Sequence, residues 1–147
     1  MDAKRLAVGF GWGVMATIAM SALMILGVVT GLSPMPAPIP EAVVNKGLGL
    51  FGVGLPQPPT MLLAAVAHLS YGGVAGAILA TLTRPVTVWK GLGWGVFLWL
   101  VMQVAVFPLL GWGFFGVAIT LRIAVATLVL HLVYGATLGL LMDRGRK

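Results

Sequence analysis

The chain has 147 residues, of which 60% are hydrophobic and only 8% are charged, and its mean hydropathy is +1.08. A soluble domain carries roughly 25% charged residues, so this composition places the chain in a lipid bilayer, as a single domain over residues 1–147. The absence of cysteine excludes disulfides, iron–sulfur clusters and thiolate catalysis. The net charge is +6, and the basic residues occur in small groups at the ends of apolar runs. This distribution argues against nucleic-acid binding, which needs a basic patch or stripe.

Four apolar segments are long enough to cross a bilayer as helices, because a span needs about 20 residues. They cover residues 6–29, 60–82, 91–110 and 117–142. The sequence therefore predicts an all-α, polytopic membrane protein with four transmembrane helices.

The basic residues predict the orientation of these helices. With four spans, one side of the membrane receives seven basic residues: Lys4, Arg5, Arg84, Lys90, Arg144, Arg146 and Lys147. Only Lys46 and Arg122 fall on or near the other side. Because basic loops stay on the cytoplasmic side, both termini are expected in the cytoplasm, with the protein in the cell (inner or plasma) membrane.

Segments one and two are joined by a proline-rich outer loop, residues 33–59, which contains seven of the nine prolines. Proline at this density blocks a regular helix and favours extended backbone. Between the proline clusters lies EAVVNKGLGLFGVGL, which is too apolar to remain in water. This stretch is predicted to form a short interfacial or re-entrant segment.

The only two histidines and the only two tyrosines lie in one nine-residue phrase that occurs twice. Residues 68–76 read HLSYGGVAG and residues 131–139 read HLVYGATLG, so both fit HLxYGxxxG. A second phrase, GFGWGV at 9–14, returns as GLGWGV at 91–96. Together they indicate an internal duplication into two tandem helical hairpins, repeat 1 at 4–84 and repeat 2 at 90–143.

Each HLxYGxxxG copy places its distinctive residues on one helical face, because they are three, four and eight positions apart. The first copy contributes His68, Tyr71, Gly72 and Gly76, and the second contributes His131, Tyr134, Gly135 and Gly139. The glycine pairs form G-x-x-x-G patterns that let another helix approach closely. The histidines and tyrosines are therefore expected to face a helix contact and to form one two-sided polar site near the bundle centre.

Three interpretations of these histidines stay open. The first takes them as packing residues that donate hydrogen bonds across the bundle. The second takes them as a pair of axial haem b ligands, His68 from one hairpin and His131 from the other, since bis-imidazole ligation suits a four-helix bundle. The third interpretation is a protonatable relay or ion path. A two-histidine metal site lacks carboxylate or thiolate partners, so no metal is predicted.

Gln103 is the other polar residue expected inside the bundle, five residues before Pro108. The proline frees a carbonyl near Val104 and can bend the third helix. Gln103 can pair with that carbonyl or with a histidine of the neighbouring hairpin, or it can simply make a bundle hydrogen bond. Arg122 is expected to extend to the outer interface.

Enzymatic chemistry has few residues to use in this chain. Asp2, Glu41 and Asp143 are the only carboxylates and all lie near membrane boundaries. Serine-nucleophile motifs are missing, and the glycine-rich GWGFFG at 111–116 lacks the lysine and strand–helix context of a phosphate loop. No catalytic residue is therefore predicted.

Four stretches together resemble a family of small prokaryotic four-helix integral membrane proteins of uncharacterised function. They are GWGVMATIAMSALM, AHLSYGGVAG, GVFLWLVMQVAVFPLLGWGFFG and LVLHLVYGATLGLLM, and they cover most of the chain. The resemblance implies a membrane protein with a histidine–tyrosine–glycine motif in each half and supplies no activity. The chain departs from the family mainly in the proline-rich loop at 33–59.

The sequence thus predicts a non-enzymatic membrane protein, a scaffold or accessory subunit of a larger membrane complex, with respiratory complexes among the candidates. Its expected partners are the lipid bilayer and either other membrane subunits or further copies of itself, with no cofactor. Two alternatives are a bis-histidine haem b protein that transfers electrons and a small transporter or channel.

Overall fold

The computed structural model describes residues 3–144, so Asp2, Arg146 and Lys147 lie outside the described residues. Within that range the regular elements are all helical. They are α1 (Ala3–Val29), α2 (Ile39–Leu50), α3 (Gln57–Leu82), α4 (Val88–Val101), a π-helical turn (Met102–Val106), α5 (Phe107–Leu110), a 3-10 turn (Phe114–Gly116) and α6 (Arg122–Arg144).

Four helices are long and apolar enough to span a membrane, which confirms the predicted fold class. They are α1, α3, α6 and the continuous segment Val88–Leu110, which joins α4, the π turn and α5. The prediction that the fourth span begins at residue 117 was wrong, because α6 begins at Arg122. Positive φ angles at Gly113, Phe115 and Gly116 turn the chain before the helix can start.

Helices α1 and α3 pack through facing glycines. A Cβ atom on Gly13 would overlap the carbonyl oxygen of Gly72 and lie 3.0 Å from the Cα atom of Gly73. A Cβ atom on Gly76 would overlap the carbonyl oxygen of Gly9. Only residues without side chains allow the two backbones to come this close, as in other membrane helix pairs.

Helices α4 and α6 pack in the same manner. A Cβ atom on Gly91 would overlap the carbonyl oxygen of Gly135 and lie 2.9 Å from the Cα atom of Gly139. A Cβ atom on Gly95 would overlap the carbonyl oxygen of His131. The glycines of HLxYGxxxG therefore meet those of GxGWGV in both helix pairs, so the two repeated phrases are the two sides of one kind of contact.

The two glycine-packed pairs meet where α1 contacts α6. Their shared core includes Ala16 and Met20 of α1, and Leu130, Tyr134 and Leu138 of α6. The origin of these pairs in a tandem duplication stays a prediction.

Helix α2 is the structured part of the proline-rich loop. Pro40 lies in its first turn, where the missing N–H of proline is tolerated. The helix packs against α3 and contacts α5. Outside the bundle, the Gln57 Nε2 atom donates a hydrogen bond to Glu41 Oε1 at 2.7 Å, which links α2 to the start of α3. Helix α2 thereby lies beside α3, and one of its faces covers a cavity between the spanning helices.

Candidate ligand chamber between the histidines

A cavity of about 280 Å³ lies between the spanning helices and is covered by α2; we call it the chamber. Its wall is mostly apolar and has contributions from all four spanning segments. Its polar groups come from His68 and Tyr71 of α3 and from Thr127 and His131 of α6. The structure therefore brings both histidines to one cavity, together with only one of the two tyrosines.

His131 is held in one orientation by its own helix. It is 8% exposed, and its Nδ1 atom lies 2.8 Å from the Thr127 carbonyl oxygen, one helical turn earlier. A carbonyl oxygen only accepts hydrogen bonds, so Nδ1 carries the proton and donates. In the neutral imidazole, Nε2 is then an acceptor.

His68 lines the chamber, and one of its ring nitrogens is unsatisfied. Its Nε2 atom is buried and has no hydrogen-bond partner among the described residues. Leaving a buried polar atom unpaired costs about 1–3 kcal/mol. A ligand that forms a hydrogen bond with this atom would remove that cost. His68 is therefore the chamber residue that we expect a ligand to stabilise most.

The two tyrosines have different environments, which corrects the prediction that both face a helix contact. Tyr134 is 2% exposed, and its hydroxyl donates a hydrogen bond of 2.7 Å to the Gly72 carbonyl oxygen. Tyr71 is 52% exposed and lies at the rim of the chamber. The repeats differ because Tyr134 belongs to the core cluster that α1 and α6 share, whereas Tyr71 is outside that cluster and exposed. Tyr134 therefore joins the two helix pairs, and Tyr71 belongs to the chamber entrance.

Gln103 makes a bundle hydrogen bond and does not line the chamber. It is fully buried in the π turn, and its Nε2 atom donates to the Thr127 hydroxyl at 3.1 Å. Its Oε1 atom is buried without a partner in the part of the chain that the structure describes. Thr127 lines the chamber and Gln103 does not, so Gln103 contributes to the chamber wall only through its hydrogen bond to Thr127.

Several chamber residues were missed by sequence reasoning. Met20 and Met24 of α1 line it, as do Val43 and Val44 of α2. Methionine and valine give no polar signal, and the position of α2 beside the chamber depends on how the helices pack in space. Thr127 was detectable in principle, because a hydroxyl residue four positions before a buried histidine shares its helical face.

The two histidines of the chamber are suitable haem ligands, but the space around them does not suit a haem group. The hydrogen bond of His131 to a carbonyl is the usual support of a metal-ligating imidazole. A haem would also need open space beside each histidine, but the space next to the motif glycines is filled by the backbones of α1 and α4. A cavity of roughly 150 Å³ holds one benzene ring. A chamber of about 280 Å³ has no room for a macrocycle of four pyrrole rings.

The fold and the chamber together define the class: a polytopic α-helical membrane protein with a cavity inside its bundle. Comparison with protein-family models, with curated proteins and with solved structures finds no match for this chain. The resemblance to small prokaryotic four-helix membrane proteins therefore stays a prediction. The lining, size and donors of the chamber are accordingly the basis for assigning a function.

Proposed function

We propose that this protein is a small, non-enzymatic accessory membrane protein that holds a membrane-soluble ligand in the chamber between His68 and His131. The ligand class is a single-ring molecule with hydroxyl groups, such as the head of a lipid quinol. The observation that carries the proposal is that His68 and His131 line the same cavity, and that the buried Nε2 atom of His68 has no hydrogen-bond partner among the described residues.

The size and polarity of the chamber support this ligand class. One benzene ring fits a cavity of roughly 150 Å³, so about 280 Å³ accommodates one ring with substituents. The mostly apolar wall favours the ring, and the acceptor Nε2 of His131 favours a hydroxyl donor over a carbonyl. An apolar tail can leave past Tyr71, which is half exposed at the rim.

The residues around the chamber support binding without catalysis. Its described wall contains neither a carboxylate nor a serine. The hydroxyl of Thr127 donates to the Ile123 carbonyl oxygen at 2.8 Å, so it is not poised as a nucleophile. Glu41 bonds to Gln57 on the outer side of the bundle. Retention of a ligand for a partner subunit is therefore the role that we propose.

The test compares two probes that differ only in hydrogen-bond donors. Binding of a decyl-substituted benzoquinol and of its dimethyl ether is measured by anaerobic calorimetry on the protein in nanodiscs. We expect the quinol to bind about tenfold more tightly, because one net hydrogen bond contributes about 1–1.5 kcal/mol. His131→Leu should abolish this preference, and His68→Leu should weaken quinol binding.

Trp94→Phe is the matched control. The Trp94 Nε1 atom is also buried and unpaired among the described residues, but Trp94 does not line the chamber. Its substitution should leave quinol binding unchanged. Equal affinity for quinol and ether in the wild type, or equal losses in His68→Leu and Trp94→Phe, would contradict the proposal.

The two alternative functions use the same histidines and have separate readouts. A Soret band in protein from haem-replete cells, lost in His68→Ala and in His131→Ala, would establish haem ligation and require the chamber to expand. Histidine-dependent flux in liposomes would establish transport. A colourless protein without flux that binds the quinol is the result expected from our proposal.

A further inference from the structure

A second cavity lies at the end of the bundle where the basic residues gather, far along the helices from the chamber. It has a volume of about 510 Å³ and is formed by the start of α1, the end of α3, the turn after α3 and the end of α6. Lys4, Arg5 and Arg84 line it, and we call it the basic pocket. Cations from two regions about 80 residues apart in the chain are thus gathered around one cavity.

The two arginines carry the argument. The Arg5 Nη2 atom donates a hydrogen bond of 3.4 Å to the Thr83 carbonyl oxygen, which holds its guanidinium beside the residue that precedes Arg84. Each guanidinium has five N–H donors in a planar fork, so one hydrogen bond leaves donors for a further group. Planar forks of this kind bind phosphate oxygens in pairs.

The remaining wall of the basic pocket is apolar. Val8 is 46% exposed, and Trp12 and Met142 are half buried beside it. No acidic side chain is among its described lining residues. The combination of two guanidinium groups, an apolar wall and a place at the ends of membrane-spanning helices matches a molecule with an anionic head and apolar chains.

We propose that the basic pocket binds an anionic glycerophospholipid, with its phosphate between Arg5 and Arg84 and an acyl chain along Val8 and Trp12. Basic pockets between transmembrane helices recognise such headgroups because attraction of the phosphate adds to burial of the chains. A free phosphate ion shares the headgroup chemistry but gains nothing from the apolar wall. This site is independent of the chamber.

The experiment measures lipid retention by native mass spectrometry of the full chain in detergent. The probes are phosphatidylglycerol and phosphatidylcholine with identical acyl chains, each with and without excess inorganic phosphate. We expect phosphatidylglycerol to be preferred and inorganic phosphate to displace little of it. Arg5→Gln and Arg84→Gln should each weaken phosphatidylglycerol binding about fivefold, the usual effect of one cation near a charged lipid.

Arg144→Gln is the matched control, because Arg144 is an exposed arginine at the same end of the bundle that does not line the pocket. Its substitution should leave binding unchanged. Arg5→Lys and Arg84→Lys keep the charge but lose the planar fork, so they should bind with intermediate affinity and remain folded. Equal loss in Arg144→Gln, equal binding of the two lipids, or full displacement by inorganic phosphate would overturn the proposal.

Discussion

Alanine substitutions at Gly13 and Gly11 compare two sites on α1 that differ in what faces them. Gly13 is buried against α3, and a Cβ atom there would overlap the Gly72 carbonyl oxygen. Gly11 is exposed, and a Cβ atom there would meet nothing within 4 Å. We expect Gly13→Ala to destabilise the protein relative to Gly11→Ala.

The size of the difference depends on the atoms involved. The groups that would meet the new Cβ of Gly13 are backbone atoms, with the Gly73 Cα atom at 3.0 Å, so no side chain can rotate away. Overpacking of this kind costs typically 1–3 kcal/mol. The gain in helix propensity from glycine to alanine is about 0.5–1 kcal/mol at either position and cancels in the comparison. The free energies of unfolding should therefore differ by about 1–3 kcal/mol.

The assay is reversible unfolding of the two variants in mixed micelles with increasing SDS, followed by circular dichroism. Helices α4 and α6 provide an internal replicate, because Gly95 is packed against the His131 carbonyl and Gly93 faces open space. If Gly13→Ala and Gly11→Ala unfold together, and Gly95→Ala and Gly93→Ala do so as well, the close helix contacts do not determine stability and the reasoning is refuted.

Two further predictions concern buried polar groups. Tyr134→Phe removes the hydrogen bond to the Gly72 carbonyl and should lower the free energy of unfolding by about 0.6 kcal/mol, up to about 1.7 kcal/mol, in the same SDS assay. Tyr71→Phe, at the exposed matched position, should change it by less, and equal effects would contradict the role assigned to Tyr134. Gln103→Met removes an Oε1 atom that is buried without a partner among the described residues, at a usual cost of about 1–3 kcal/mol, while Thr127 keeps its backbone acceptors. We expect unchanged or increased stability for this variant. A clear loss of thermal stability would show that the buried Oε1 atom of Gln103 does not carry this cost.

The sequence was sufficient for the four spans because length and hydropathy are local properties of each segment. Glycines four residues apart also predict a face for close helix contact without any knowledge of the partner, and these glycines lie against the backbones of α1 and α4. The sequence did not predict that the partner of HLxYGxxxG is GxGWGV, because the pairing of faces depends on how the helices are arranged in space. The start of α6 was missed for a local reason: positive φ at Phe115 is not expected of a phenylalanine.

The candidate site was predictable only in part. The matched positions of His68 and His131 indicated one shared site, and both histidines line the chamber. The symmetry of the motif wrongly suggested the same environment for Tyr71 and Tyr134, since the α1–α6 contact buries only one copy. The role of α2 as a cover could not be read from its composition, which showed only that it avoids water.

The glycine contacts make the α1–α3 pair and the α4–α6 pair stiffer than the contact between the two pairs. Backbones that touch along α1–α3 and along α4–α6 leave little freedom to slide, so each pair should move as one rigid body. The joint between the two bodies is formed by side chains at α1–α6 and by the bond of Tyr134 to Gly72. A small pivot at this joint would alter the separation of His68 and His131, which lie on different bodies. Any pivot between the two pairs would therefore change the geometry of the two imidazoles, and the hydrogen bond of the Tyr134 hydroxyl is one of the contacts that resist it.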